Sequence, residues 1–78
     1  MRHEIKTGLY QHYKGGKYEV LGVAHHEETL EPLVVYKALY ESKDFGTNAL
    51  WVRPYNVFTE KILIDGKQIP RFTYIDTK

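Results

Sequence analysis

Leu33-Val34-Val35-Tyr36-Lys37-Ala38-Leu39-Tyr40 is the stretch that decides the fold class of this chain. β-Branched and aromatic residues fill nearly every position, only Lys37 interrupts them, and the apolar positions do not recur at helical spacing. Such a run reads as a central strand that is apolar on both faces. Because successive side chains alternate across a strand, Tyr36, Ala38 and Tyr40 share one of those faces.

The segments on either side carry the same period of two. Gly8 to Tyr13 is short and aromatic, and Lys14-Gly15-Gly16-Lys17 supplies a tight turn, so a hairpin is expected with Tyr18 to His25 as its second arm. His26-Glu27-Glu28-Thr29-Leu30-Glu31-Pro32 is polar and ends in proline, which predicts a loop or one irregular turn. Glu41 to Asn48 reads as a surface loop. In Leu50-Trp51-Val52-Arg53-Pro54, Trp51 and Arg53 point one way and Val52 the other, and Pro54 ends the pairing because it has no N–H. Tyr55 to Phe58 is a short turn. A last hairpin is expected between Glu60–Ile64 and Ile69–Ile75 around Asp65-Gly66, with Thr77 and Lys78 as a frayed end.

The expected fold is therefore all-β: a small SH3-like barrel of about five or six short antiparallel strands, closed so that no long edge is exposed. Val20, Val35 and Val52 are expected to meet at its centre. At 78 residues the chain holds one core, so residues 1–78 form one domain, ordered over about 7–76. Seven Tyr, three Phe and one Trp are the natural source of the area such a small core needs.

Eleven Lys and Arg against ten Asp and Glu give a net charge of +1, too little for a long-range field that recruits nucleic acid or acidic lipid by itself. Without cysteine there is no disulfide framework, cysteine zinc site or cysteine nucleophile, and a cytoplasmic setting is expected. No stretch is long and apolar enough to span a bilayer, and the first residues lead into no signal-peptide core, so no membrane partner is expected.

Gly8-Leu9-Tyr10-Gln11-His12-Tyr13-Lys14-Gly15-Gly16-Lys17-Tyr18, the loop from His26 to Pro32, the strand from Val35 to Tyr40, Trp51-Val52-Arg53-Pro54 and Arg71-Phe72 occur in the order that characterises a bacterial family catalogued as domain of unknown function 1653, which the chain resembles from about Thr7 to Ile75. The resemblance implies an SH3-like barrel, found mostly as a stand-alone bacterial protein, with no established activity, substrate or cofactor. Two positions depart from the family pattern: Glu27, where a small Ser is usual, and Val57, where Met is common.

Three groups of residues carry candidate chemistry. His26, Glu28, Thr29 and Glu31 place imidazole and carboxylates close together, as a divalent-metal site or an acid/base pair requires. Adjacent His25 and His26 point to opposite sides of an extended chain, however, and no H-E-x-x-H spacing converges on one ion. The plain reading is a solvated loop whose side chains bond nearby backbone N–H groups. His12 and Tyr13 stand next to a Gly-Gly turn that lets a ligand approach closely, although tyrosines on a strand usually pack. Trp51 and Arg53, with Tyr10, Tyr36 or Tyr40 beside them and Arg71 near, make the third group. An indole stacks planar groups, and a guanidinium pairs with carboxylate or phosphate. The competing reading is a Trp that covers the end of the barrel and an Arg paired to Glu28, Glu31 or Glu60.

No catalytic residue, metal ligand set or cofactor is assigned, since Ser42 is the only serine and Gly15-Gly16 opens a strand. The leading functional expectation is an aromatic and basic face that binds a peptide, nucleotide or RNA. The alternatives are an enzyme centred on His26, Glu28 and Glu31, and a structural homodimer formed through the apolar strand.

Overall fold

A computed structural model describes residues 4–75; the expected fraying of Thr77 and Lys78 lies outside them. The first hairpin forms as expected from β1 (Gly8–His12) and β2 (Lys17–His25), with Tyr10 opposite Tyr18. Gly15 takes φ +108° in its turn, a value side-chain-bearing residues rarely adopt. β3 (Pro32–Ala38) pairs antiparallel with β2, and β6 (Leu50–Pro54) pairs with β3. Between β3 and β6 the expected loop contains a small ladder of β4 (Glu41–Ser42) and β5 (Gly46–Thr47).

One helical turn, α1 (Tyr55–Phe58), follows Pro54. Then β7 (Lys61–Ile64) and β8 (Lys67–Pro70) pair around Asp65-Gly66, both at positive φ, as a primed turn requires. The last arm does not continue to Ile75. Pro70 cannot donate to a ladder, the Arg71 N–H closes the hairpin on the Glu60 carbonyl at 3.0 Å, and the Arg71 carbonyl accepts the Tyr13 N–H at 2.9 Å. Arg71 is thus the point where the chain changes sheets, and β9 (Phe72–Ile75) pairs with β1.

The main sheet has the order β6-β3-β2-β1-β9, and its two edges are not joined, so the expected closed barrel is corrected to an open sheet. In a flat sheet the edge strands β6 and β9 would lie about 19 Å apart. Instead the Arg53 guanidinium of β6 sits 5.5 Å from the Phe72 ring of β9, so the sheet is strongly curled. Phe58 of α1 fills the gap that closure would have removed, stacking on Phe72 with centroids 4.0 Å apart and planes 7° from parallel. An aromatic plug replaces the missing backbone pairing, and the fold class remains all-β.

The core comprises Tyr10, Val20, Val34, Tyr36, Phe58 and Phe72. Val20 lies in it, but Val35 and Val52 do not, contrary to the sequence expectation. Tyr36 faces inward beside Val34, fully buried on the same side, and a period of two then sends Val35 and its cross-strand partner Val52 to the outer face. Val52 is 58% exposed there. The Glu19–Lys37 ion pair, 3.2 Å, explains the one charge in β3: it lies opposite its partner on that outer face.

Candidate functional site

The parity that sends Val52 outward turns Trp51 and Arg53 inward, opposite Tyr36 and Val34. Tyr18 reaches the same face from β2, because it lies two residues from buried Val20 along the strand and so shares its face, and Tyr40 arrives from the bend after β3. Tyr18, Tyr36, Tyr40, Trp51 and Arg53 together line a cavity of about 210 Å³. Its walls are aromatic and one guanidinium stands in it.

Ring contacts hold the walls in place. Tyr18 meets Tyr36 at 5.2 Å and Tyr40 at 5.6 Å, both edge to face, and its hydroxyl lies 3.0 Å from that of Tyr40. Phe45, from the turn between β4 and β5, meets Trp51 edge to face at 5.1 Å. Trp51 keeps 36% of its surface exposed, so it does not serve as a buried cover. Arg53 donates from Nε to the Tyr36 hydroxyl at 3.3 Å. Among the described residues no carboxylate pairs with Arg53, so its outer nitrogens remain donors for a ligand.

Arg71 does have the acidic partner expected of one arginine: its Nη2 lies 3.3 Å from Glu60 Oε1. Its Nε is buried and has no partner among the described residues. His12 meets Phe72 edge to face with ring centroids 4.9 Å apart, and Tyr13 lies at a tilt against His12 at 4.6 Å. Burial first, then the positive charges of Arg53, Arg71 and Lys14, hold the His12 pKa below its usual value.

The remaining candidates lie elsewhere. His26 Nδ1 accepts the backbone N–H groups of Glu28 and Thr29 at 3.1 and 3.3 Å, and Thr29 Oγ1 accepts that of Glu31 at 3.2 Å. These are the bonds of a self-contained turn. Glu31 borders a separate cavity beside Tyr55 and Asn56. No three metal-ligating side chains converge among the described residues. A larger cavity, about 350 Å³, is lined by His12, Tyr13, Gln11 and Pro70 among others and has no Lys or Arg in its lining.

Tyr18 and Phe72 were missing from the sequence-based site. Tyr18 is legible in the sequence, since it lies two residues from Val20 and so shares its face. Phe72 was not, because its place depends on the chain changing sheets at Arg71. Tyr10, a suggested neighbour of Trp51, is instead buried in the core, its hydroxyl donating to the Lys6 carbonyl at 2.7 Å.

Burial is the main cause that raises the pKa of both Tyr10 and Tyr18; neighbouring Tyr74 adds to it at Tyr10, and the hydrogen bond with Tyr40 adds to it at Tyr18. A raised folded-state value favours the neutral phenol in the fold, so this stabilisation is complete below the unfolded value of 10.0 and is lost as pH rises beyond it. In an alkaline absorbance titration, Tyr10 and Tyr18 of the seven tyrosines should stay protonated until the near-ultraviolet dichroism collapses. Free-tyrosine titration of all seven in the folded protein would contradict this placement.

These features define an all-β domain with an arginine-bearing aromatic pocket on the concave face of a curled sheet. Comparison with known proteins then gives its family. The model of the family described as "Protein of unknown function (DUF1653)" matches residues 8–74, and the chain belongs to that family. A crystal structure of a DUF1653 protein from Bordetella bronchiseptica superposes with a TM-score of 0.80 at 35% identity, covering 91% of this chain and 87% of that one. No curated protein matches the chain. Among the described residues no helix is long and apolar enough to cross a membrane.

Proposed function

We propose that this domain is a non-catalytic binding module, and that the cavity walled by Tyr18, Tyr36, Tyr40 and Trp51 takes a planar group of its ligand while Arg53 pairs with an anionic part of the same ligand. The observation that carries this reading is the convergence of four aromatic rings on one guanidinium that has no carboxylate partner among the described residues. Aromatic faces stack planar groups, and a partly desolvated guanidinium binds carboxylate or phosphate in a fixed orientation. Nucleotides, RNA segments and acidic peptides with aromatic side chains all present that combination. A reducing, cytoplasmic setting is part of the proposal and is supported by the cysteine-free composition.

A metal-dependent or acid/base enzyme at His26, Glu28 and Glu31 has less support. His26 Nδ1 is already occupied by two backbone N–H groups, and Glu31 faces a different cavity.

Trp51, the only tryptophan, reports directly on the cavity. Titration with nucleotides, short RNAs and acidic aromatic peptides should change its fluorescence saturably for one of these classes. Unchanged emission throughout the panel, with the protein folded, would refute the proposed site.

A further inference from the structure

Beyond the aromatic cavity, Arg53 has cationic and donor neighbours that the aromatic walls do not explain. Phe72 is their shared neighbour: the Arg53 guanidinium lies 5.5 Å from its ring centroid and the His12 ring 4.9 Å from it. Arg71 immediately precedes Phe72, and Lys14 follows His12 by two residues with its ammonium 5.7 Å from the Tyr13 ring. Three permanent cations thus surround one imidazole. One carboxylate, half-exposed Glu60, is paired within the group, and it occupies a single nitrogen of Arg71. Like charges gathered around a low-dielectric floor repel one another unless an anion completes them.

His12 is set up to donate. Its Nδ1 accepts the Lys14 backbone N–H at 3.1 Å, which fixes the neutral tautomer with hydrogen on Nε2. No described residue is recorded as accepting from that Nε2–H. The buried Arg71 Nε–H likewise has no acceptor among the described residues. An oxygen that reaches the His12 Nε2–H or the Arg71 nitrogens not held by Glu60 gives these donors a partner. The oxygens of a phosphate can accept from several such donors at once.

We infer that the aromatic cavity continues into a phosphate site formed by Arg53, the Nε2–H of His12, Arg71 and Lys14, so that the ligand is a nucleotide, its base against Trp51 and its phosphate beyond Arg53. The inference rests on the binding-module reading above and narrows its ligand class. A peptide carboxylate offers two oxygens and a single charge where a phosphate offers three oxygens and more charge, so it leaves more of these donors unused. The groups facing His12 are Arg53 from β6, Arg71 before β9, Lys14 and Tyr13 from the first turn, and Phe72 from β9. An anion placed among them offsets the cationic repulsion, so the His12 titration midpoint moves upward when the site fills.

The test compares adenosine, adenosine monophosphate, inorganic phosphate and a short single-stranded adenylate RNA, following Trp51 fluorescence and the His12 imidazole resonances. Adenosine monophosphate should bind at least about tenfold more tightly than adenosine, as charge-assisted hydrogen bonds imply, and should raise the His12 midpoint. Inorganic phosphate should shift His12 and leave Trp51 fluorescence unchanged. Arg71→Gln should remove the tenfold advantage while preserving adenosine affinity. Because Arg71 is partly buried, Lys14→Ala serves as a second variant and should reduce the same advantage without unfolding the protein.

Equal affinities for adenosine and its monophosphate, with His12 unmoved, overturn the phosphate site but leave the binding-module reading standing. Silence at Trp51 for both, with His12 moved by phosphate, refutes the aromatic pocket and with it the nucleotide assignment. A steep salt dependence and much tighter binding of the RNA identify a chain as the source of the phosphate. Equal affinity for RNA and mononucleotide identifies the free nucleotide.

Discussion

Phe72→Ala should destabilise the domain by about 3–5 kcal/mol, the usual loss when a buried phenylalanine is truncated in a close-packed core. Phe72 is almost fully buried and touches every part of the interior that matters: Phe58 stacked on it, Tyr18 and Tyr36 at 5.7 Å, His12 at 4.9 Å and Arg53 at 5.5 Å. These contacts come from α1, β1, β2, β3 and β6, so the ring ties the two edges of an open sheet together where backbone pairing does not. For a domain this small the loss is comparable to its whole stability, and the melting temperature should fall by more than about 12 °C. Phe58→Ala should act in the same way, since it leaves one side of the same stack empty. Val52→Ala, on the exposed outer face, should change stability by no more than about 0.5 kcal/mol. Calorimetric melting of the three variants checks the ordering. A Phe72→Ala protein that melts within about 3 °C of the parent would show that the curled sheet holds without its aromatic centre.

The same ring marks how far the sequence could be read. Periodicity revealed β1, β2, β3 and β6, because each is a run whose alternation is strong enough to stand on its own. The Asp65-Gly66 turn was legible because few dipeptides adopt two positive φ values in succession. The failures arose where local pattern is silent. β3 is apolar on both faces, so alternation grouped Tyr36 with Ala38 but could not say which face was inside, and Val35 was assigned to the wrong one. Ile69 to Ile75 looked like one strand, and only long-range hydrogen bonds at Arg71 divide it. Closure failed as an inference for a related reason. The sequence shows that edges are undesirable, but not that a helical turn carrying Phe58 would fill the gap instead.

For the site, alternation within a single strand placed Trp51 and Arg53 together and Val52 apart, and Tyr36 joined them across β3 and β6. The charge environment of His12 could not be foreseen, since Arg71 comes beside it only through the long-range pairing of β9 with β1, and Arg53 only where the sheet curls.

Trp51→Ala and Arg53→Ala should separate the two halves of ligand recognition. Removing the indole deletes a stacking platform, which for a base is worth about 1–3 kcal/mol, or roughly a 5- to 150-fold loss of affinity. That loss should be similar for a nucleoside and its monophosphate, because stacking does not sense the phosphate. Removing Arg53 should weaken the monophosphate by roughly tenfold or more and the nucleoside by much less, since a charge-assisted hydrogen bond is lost only where an anion is present. Each change should be tolerated by the fold, as Trp51 is substantially exposed and, among the described residues, the one side-chain hydrogen bond of Arg53 goes to Tyr36. Tyr36→Phe provides the control for geometry. It frees the guanidinium from its 3.3 Å anchor without removing charge, so it should cost less than Arg53→Ala and affect only phosphate-bearing ligands. Isothermal titration of the four proteins with both ligands gives the full comparison. If Trp51→Ala selectively weakens the monophosphate, or Arg53→Ala weakens both ligands equally, base and phosphate do not occupy the positions assigned to them.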